Sequence, residues 1–253
     1  MSRRFMPWVV ILALGIGAVA NNHAVAEGNS PCLPGTVEKL KQHDFGGVVV
    51  DCTEAIRQHP DSGKAYALRG RAHYFLQQYE EALGDLNHAI TLSPQSAYAY
   101  MSRCMTYKEL NKFDLALNDC AQALSLAPDY YETYFARGDV YLKQGDYQKA
   151  IADFNVYLER FPNDPDSHFN RGLSYAGVGD CKAAIQDFSE ELRLQGDEPD
   201  ALYQRGKCEA QLGDTSAAKS DLVTAAVLYK KQQNTEGVDR VTKLLLSLGA
   251  NGA

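Results

Sequence analysis

The chain has 253 residues and a net charge of −7. An acidic protein repels phosphate backbones, which argues against nucleic acid as a partner, and the charge also serves solubility. No glycine-rich phosphate loop appears, and none of His43, His59, His73, His88 and His168 shares a metal-ligand spacing with a cysteine.

At the start of the chain, Arg3 and Arg4 form a short positive segment ahead of the apolar run Pro7–Ala20. Ala24, Val25 and Ala26 then supply the small-x-small pattern that signal peptidase cuts after. The run falls short of the ~20 apolar residues a spanning helix needs. Residues 1–26 therefore read as a signal peptide, with a retained N-terminal anchor as the alternative. Ser2–Met6 partly matches a twin-arginine signal, although ordinary secretion fits the short basic segment better. The expected product is exported, to a bacterial periplasm, and loss of Arg3 and Arg4 makes it two charges more acidic.

Beyond the leader, residues 27–60 contain one helical pattern, His43–Pro60, preceded by a stretch broken by Pro31, Pro34 and Gly35. A strict repeat follows. Pro94, Pro128 and Pro162 close successive segments of equal length; Tyr66, Tyr100 and Tyr134 align, as do Ala82, Ala116 and Ala150. A fixed period in the 20–50 residue range marks a stacked-repeat architecture. Each unit holds two helical patterns split by a turn, the turn falling at Gln77-Gln78, Gly145-Asp146, Gly179-Asp180 and Gly213-Asp214. The units are 61–94, 95–128, 129–162, 163–196 and 197–230. In residues 231–253, Val238, Val241, Leu244, Leu245 and Leu248 form one apolar face, as a capping helix would.

Gly138, Tyr141, Tyr147, Ala150, Phe154 and Pro162 carry the pattern most fully, and it resembles the tetratricopeptide repeat. The resemblance spans 61–230, with Glu191, Gly196, Glu209 and Lys230 departing from it. It implies an all-α, right-handed solenoid of stacked helix-turn-helix units, whose first helices line an inner groove.

Two ladders run in register with the repeat. Arginine recurs at Arg69, Arg103, Arg137, Arg171 and Arg205; aspartate recurs at Asp51, Asp85, Asp119, Asp153, Asp187 and Asp221. An antiparallel hairpin sets Arg69 opposite Asp85, and stacking is expected to bring Asp51 near Arg69 as well, so that each arginine bridges two acids. Fixed register, with an aspartate available to every arginine, favours a structural ion-pair ladder over a polybasic binding track. Cysteines show a related symmetry. The pairs Cys32/Cys52, Cys104/Cys120 and Cys181/Cys208 each centre on a turn or loop, which predicts three short-range disulfides in an exported protein. The alternative for Cys104 and Cys120 is that both are small buried core residues.

No catalytic constellation emerges. Gly172-Leu173-Ser174-Tyr175 begins like a nucleophile elbow, but Ala176 occupies the slot that needs glycine. The reading is therefore a non-enzyme without cofactor or metal. The resemblance places Arg71, Tyr74, Phe75, Met101, Met105, Phe135, Asp139, Leu142, Phe169, Leu173, Tyr203 and Lys207 on the groove. There they are expected to be spare from the core and free to bind an extended peptide or amphipathic helix. The alternative is that some pack against neighbouring helices or against the C-terminal helix. The expected function is a protein-binding scaffold of the cell envelope. A self-associating structural component and an accessory subunit of an envelope enzyme or secretion complex remain the alternatives.

Overall fold

The computed structural model describes Cys32 and residues 34–250; the expected signal segment 1–26 lies outside them. Those residues form thirteen α-helices and no strand. They are α1 (Thr36–Lys41), α2 (Phe45–Gln58), α3 (Gly63–Phe75), α4 (Tyr79–Leu92), α5 (Ala97–Glu109), α6 (Phe113–Leu126), α7 (Tyr131–Gln144), α8 (Tyr147–Arg160), α9 (Pro165–Gly177), α10 (Cys181–Gln195), α11 (Pro199–Gln211), α12 (Thr215–Lys231) and α13 (Thr235–Ala250). The chain makes two compact units, one through Val140 and one from Tyr141 onward.

The punctuation of the sequence has a local physical basis. First helices open on side-chain caps: Ser62 accepts from the Ala65 amide, Ser96 from Ala99 and Asp164 from Ser167. Second helices open the same way on Asp44, Asp180 and Asp214. The turn inside each hairpin needs one left-handed residue, supplied by Gly145, Gly179 and Gly213 in later copies. His43, Gln77 and Asn111 hold the same register at φ 60°, 60° and 55°, where a side chain costs about 1–2 kcal/mol.

In the first unit, α3 and α4 cross where Gly70 faces Ala82 and Leu86. A Cβ on Gly70 would lie 2.8 Å from Leu86 Cγ and 3.1 Å from the Ala82 carbonyl, so only glycine lets the helices approach this closely. Val48, Cys52, Ala65 and Ala72 fill the core beneath α1–α3; Leu86, Met101, Cys104, Ala116, Cys120 and Val140 fill it beyond. Disulfides join Cys32 to Cys52 and Cys104 to Cys120, the second bridging α5 and α6.

In the second unit Phe188 packs on Gly172, where a Cβ would meet its ring at 2.8 Å. Phe154 and Phe188 are fully buried, each contributing roughly 1.5–3 kcal/mol of transfer free energy. Helix α13 lays Val238, Val241, Leu244, Leu245 and Leu248 on Leu222, Ala225 and Tyr229, closing the end of this unit. The Tyr229 hydroxyl donates to Asp200 at 2.5 Å.

Four arginines of the ladder grip an aspartate with two prongs. The Nε and Nη2 atoms of Arg69 reach Asp85 at 2.7 and 2.7 Å, and those of Arg103 reach Asp119 at 2.7 and 2.7 Å. Arg171 holds Asp187 at 2.8 and 2.7 Å, and Arg205 holds Asp221 at 2.6 and 2.9 Å. Arg137 and Asp153 belong to different units; the Arg137 guanidinium lies over the Tyr134 ring at 5.6 Å, and Asp153 is buried.

Two expectations need correction here. The remaining prong of each guanidinium does not take a second acid. Arg69 Nη1 donates to Thr53, Arg103 Nη1 to Asn87, Arg171 Nη1 to Asn155 and Arg205 Nη1 to Ser189. Asp51 is already occupied, accepting from Thr36 and pairing with Lys39 at 2.7 Å. A second buried carboxylate on one cation would leave net negative charge uncompensated, whereas a hydroxyl or amide satisfies the last donor at no charge cost. The other correction is the third disulfide: Cys181 and Cys208 are both buried free thiols. They are neighbours in one core cluster, but the Cys181 thiol donates to Gln211 Oε1 at 2.8 Å. Burial, with the hydrogen bond to Cys181, pushes the Cys208 thiol up to about 12, so that sulfur stays protonated.

Candidate functional site

The first helices repeat two registers that the repeat resemblance led us to expect on a groove. One holds Ala67, Met101, Phe135, Phe169 and Tyr203; the other holds Arg71, Met105, Asp139, Leu173 and Lys207. Their depth differs between the two units.

In the first unit most of these side chains are used by the core. Met101 is 0% exposed, Arg71 2%, Phe135 3%, Met105 6% and Tyr74 9%. The expectation that they are spare from the core is therefore wrong for these five. Met101, Met105 and Tyr74 belong to one cluster with Cys104 and Cys120. The reason is volume: small residues at the helix crossings draw the hairpins together, and flexible methionines fill the gaps that remain. Phe75 stays half-buried, stacked on Phe45 at 4.5 Å.

The same face carries buried charge that the sequence reading missed. Lys108 is buried and forms ion pairs with Asp139 of α7 and with Glu109, the latter at 2.9 Å. Burial opposes the Lys108 charge most strongly, but Asp139, Tyr74 and Glu109 overcome it and hold its pKa well above the usual lysine range. Burial also pushes the Tyr74 phenol up to about 12, with the Lys108 cation working against it. The available signal was register: Lys108 follows Tyr74 by one repeat and precedes Leu142 by one, so a cation stands where apolar residues stand elsewhere.

In the second unit Phe169 is buried, while Leu142 and Leu173 are half-buried and Lys207 is exposed. Tyr203 is half-buried against the cluster under α13, and the Arg240 guanidinium lies 5.3 Å from its ring centre. The capping helix therefore covers part of the last repeat's first-helix face. Behind that face, His168 places Nδ1 3.0 Å from Asp187 and Nε2 2.9 Å from the Pro162 carbonyl. Burial disfavours its charge most, yet the Asp187 hydrogen bond, the Pro162 carbonyl and the Asp187 charge outweigh burial and the nearby Arg171, raising its pKa. Among the described residues no three His, Cys, Asp or Glu side chains gather as a metal site would require, and no helix is long and apolar enough to cross a membrane.

This helical-hairpin geometry recurs in known proteins. The sequence matches the tetratricopeptide repeat profile over residues 53–97, 105–165 and 169–234. The chain belongs to the tetratricopeptide repeat family. Among solved structures it is similar to PilW, a widely conserved type IV pilus biogenesis factor, at 20% identity and a TM-score of 0.71, covering 82% of this chain and 94% of that one. It is also similar to YrrB, described as a TPR protein with an unusual peptide-binding site, at 20% identity and a TM-score of 0.62, covering 76% and 97%. MamA from Desulfovibrio magneticus RS-1 aligns at 19% identity and a TM-score of 0.62, covering 67% and 96%. At these identities the likeness concerns the fold. No curated protein matches the chain.

Proposed function

We propose that this protein is a non-catalytic scaffold of the bacterial cell envelope. It binds an extended peptide or helix of a partner protein on its first-helix faces. The observation that carries this reading is the asymmetry of the tetratricopeptide register in the second unit. There Leu142 and Leu173 are only half-buried, Leu173 at the margin of the Phe169 cluster, and Lys207 is exposed, so apolar and cationic surface remains at these register positions. An envelope location accords with the two disulfides, with the leader-like residues 1–26 and with the likeness to PilW. The peptide-binding description of YrrB supports the mode of recognition.

Photo-crosslinkers placed at residues 142, 173 and 207, compared with residues 50, 223 and 227 on the outer surface, test the reading in intact cells. One partner segment crosslinking from the first set only, identified by sequencing the joined peptides, is the expected result. Crosslinks only from the outer set contradict it. A second reading, self-association, is favoured by Val223 and Val227, one turn apart on α12 and 53% and 62% exposed. Crosslinks from residues 223 and 227 to a second copy of the chain would select it.

A further inference from the structure

His168 stands at a register that the other copies fill with Tyr66, Tyr100, Tyr134 and Leu202. None of those side chains changes charge near neutral pH, so a titratable group here is particular to the fourth repeat. The ring is 9% exposed, and both of its nitrogens face oxygens that can only accept. Nδ1 lies 3.0 Å from Asp187 Oδ1, and Nε2 lies 2.9 Å from the Pro162 carbonyl. The Asp187 carboxylate is ionised, because its two oxygens also take hydrogen bonds from Arg171 at 2.8 and 2.7 Å. A neutral imidazole has one N–H and one lone pair, so it would satisfy one oxygen and turn a lone pair on the other. Only the imidazolium makes both contacts at once.

The arginine–aspartate rung does not need this cation. In the second repeat Arg103 grips Asp119 in the same two-pronged way, with Tyr100 in the histidine's place. What His168 adds is the bond to Pro162, in the loop that joins α8 to α9. That loop is a tight turn: the Asp164 amide donates to the Phe161 carbonyl at 3.2 Å, and Asp164 caps α9 by accepting from the Ser167 amide at 2.9 Å. The two bonds of the ring are not equally open to loss. A lone pair on Nδ1 would face a buried carboxylate, whereas a lone pair on Nε2 would face a neutral carbonyl in a surface loop. Pro162 and Asn163 are exposed, so the loop has room to turn that carbonyl toward water. On deprotonation the surviving proton stays on Nδ1, and the Pro162 contact is the one that breaks.

We propose that His168 is a proton-operated latch at the junction of the third and fourth repeats. As the imidazolium it ties the Pro162 loop to α9; on losing the Nε2 proton it releases the loop and loosens the seat of α9 against α8. The charged groups that act on the ring are Asp187 and Glu190 of α10, Arg171 of α9 and Asp164 of the loop. Helix α8, packed on α9, brings Asp153, Tyr157, Glu159 and Arg160, and α9 itself brings Asp166. Carboxylates, phenols and guanidinium groups ordinarily titrate far from neutrality, which leaves the imidazole to make the switch. Because α9 also carries Phe169 and Leu173, the latch acts on the first-helix face of this repeat. It stands whether or not that face binds polypeptide.

The test is a pH titration of the 13C,15N-labelled full chain, followed by NMR at the His168 ring nitrogens and the Pro162 carbonyl carbon. At the ordinary imidazole value of about 6.5 both ring nitrogens are expected to carry protons, and the midpoint of the titration is expected above it. Beyond that midpoint the remaining proton should sit on Nδ1, and the Pro162 carbonyl resonance should shift with the same midpoint as the ring. The melting temperature should fall in a step over the same range. His168→Tyr restores the side chain of the first three copies and should remove that step. A ring that is neutral at about 6.5, a surviving proton on Nε2, or a Pro162 carbonyl that ignores the titration overturns the latch. So does a His168→Tyr protein that keeps the wild-type step. Should that variant fail to fold, the ring and carbonyl titrations of the wild-type chain decide on their own.

Discussion

Replacing Arg103 by leucine isolates one rung of the ladder. Arg103 gives two charge-assisted hydrogen bonds to Asp119 and one to Asn87, each at 2.7 Å, and the paired side chains are 18% and 8% exposed. Arg103→Leu leaves the Asp119 carboxylate buried beside an apolar side chain, a situation that costs about 3–5 kcal/mol. Partial solvent access to the arginine side places the expectation near the lower end, about 3 kcal/mol, or about 6–12 °C in melting temperature for a chain of this size. The Cys104–Cys120 bridge ties the same two helices, so they cannot separate to hydrate the stranded charge. The double variant Arg103→Leu/Asp119→Leu removes both charges and is expected to lose only about 1 kcal/mol, giving a coupling of at least about 2 kcal/mol. Urea denaturation followed by far-UV circular dichroism on all four oxidised proteins reads this out. Single variants within about 0.5 kcal/mol of wild type, or a double variant that falls as far as the sum of the singles, would refute the ladder as a stabilising element.

The pH dependence of the second unit should follow His168. Its raised pKa means its stabilisation is complete below the ordinary imidazole value of 6.5 and is lost as pH rises through the folded value. His168→Gln should flatten that decline in a melting-temperature profile; Asp187, Arg171, Asp164 and Glu190 are the charged groups facing it. Replacing Cys104 and Cys120 together by alanine should cost about 2–4 kcal/mol in chemical denaturation. Thiol labelling of the unfolded, unreduced wild type should find two reactive cysteines, Cys181 and Cys208. Phe135→Ala should destabilise the protein by about 3–5 kcal/mol in the same denaturation, because the ring is 3% exposed and its removal leaves a cavity; it is a core substitution before it is a binding one.

The register of the fold was legible in the sequence and the depth of its faces was not. Period, turns and caps arise from local chemistry, so Ser62, Ser96 and Gly145 announce themselves by type and position. The pairing of Arg69 with Asp85 could be read from hairpin symmetry, since it depends on register alone. Whether a first-helix residue is spare depends instead on the volume around it, which differs between copies. Met105 and Leu173 share one register, yet Met105 is core and Leu173 is half-exposed. Thr53, Asn87, Asn155 and Ser189 recur two residues after the ladder aspartates Asp51, Asp85, Asp153 and Asp187. Two hydroxyls and two side-chain amides, they carry no charge to complement the arginines, and only the hairpin register marks them as acceptors for the third prong. For Cys181 and Cys208, symmetry about a loop gave proximity; bond formation depended on where the thiols point, and Gln211 takes one of them.

Calorimetric titration of the crosslinked partner segment, made as a synthetic peptide, into wild type and a Leu173→Ala/Lys207→Glu variant tests the scaffold reading most directly. Lys207 is exposed and Leu173 is half-buried at the margin of the Phe169 cluster, so the variant should lose little stability and stay folded. The account predicts saturable binding to wild type and at least a tenfold loss in the variant. Equal affinity in a variant that melts normally would contradict binding on the first-helix face.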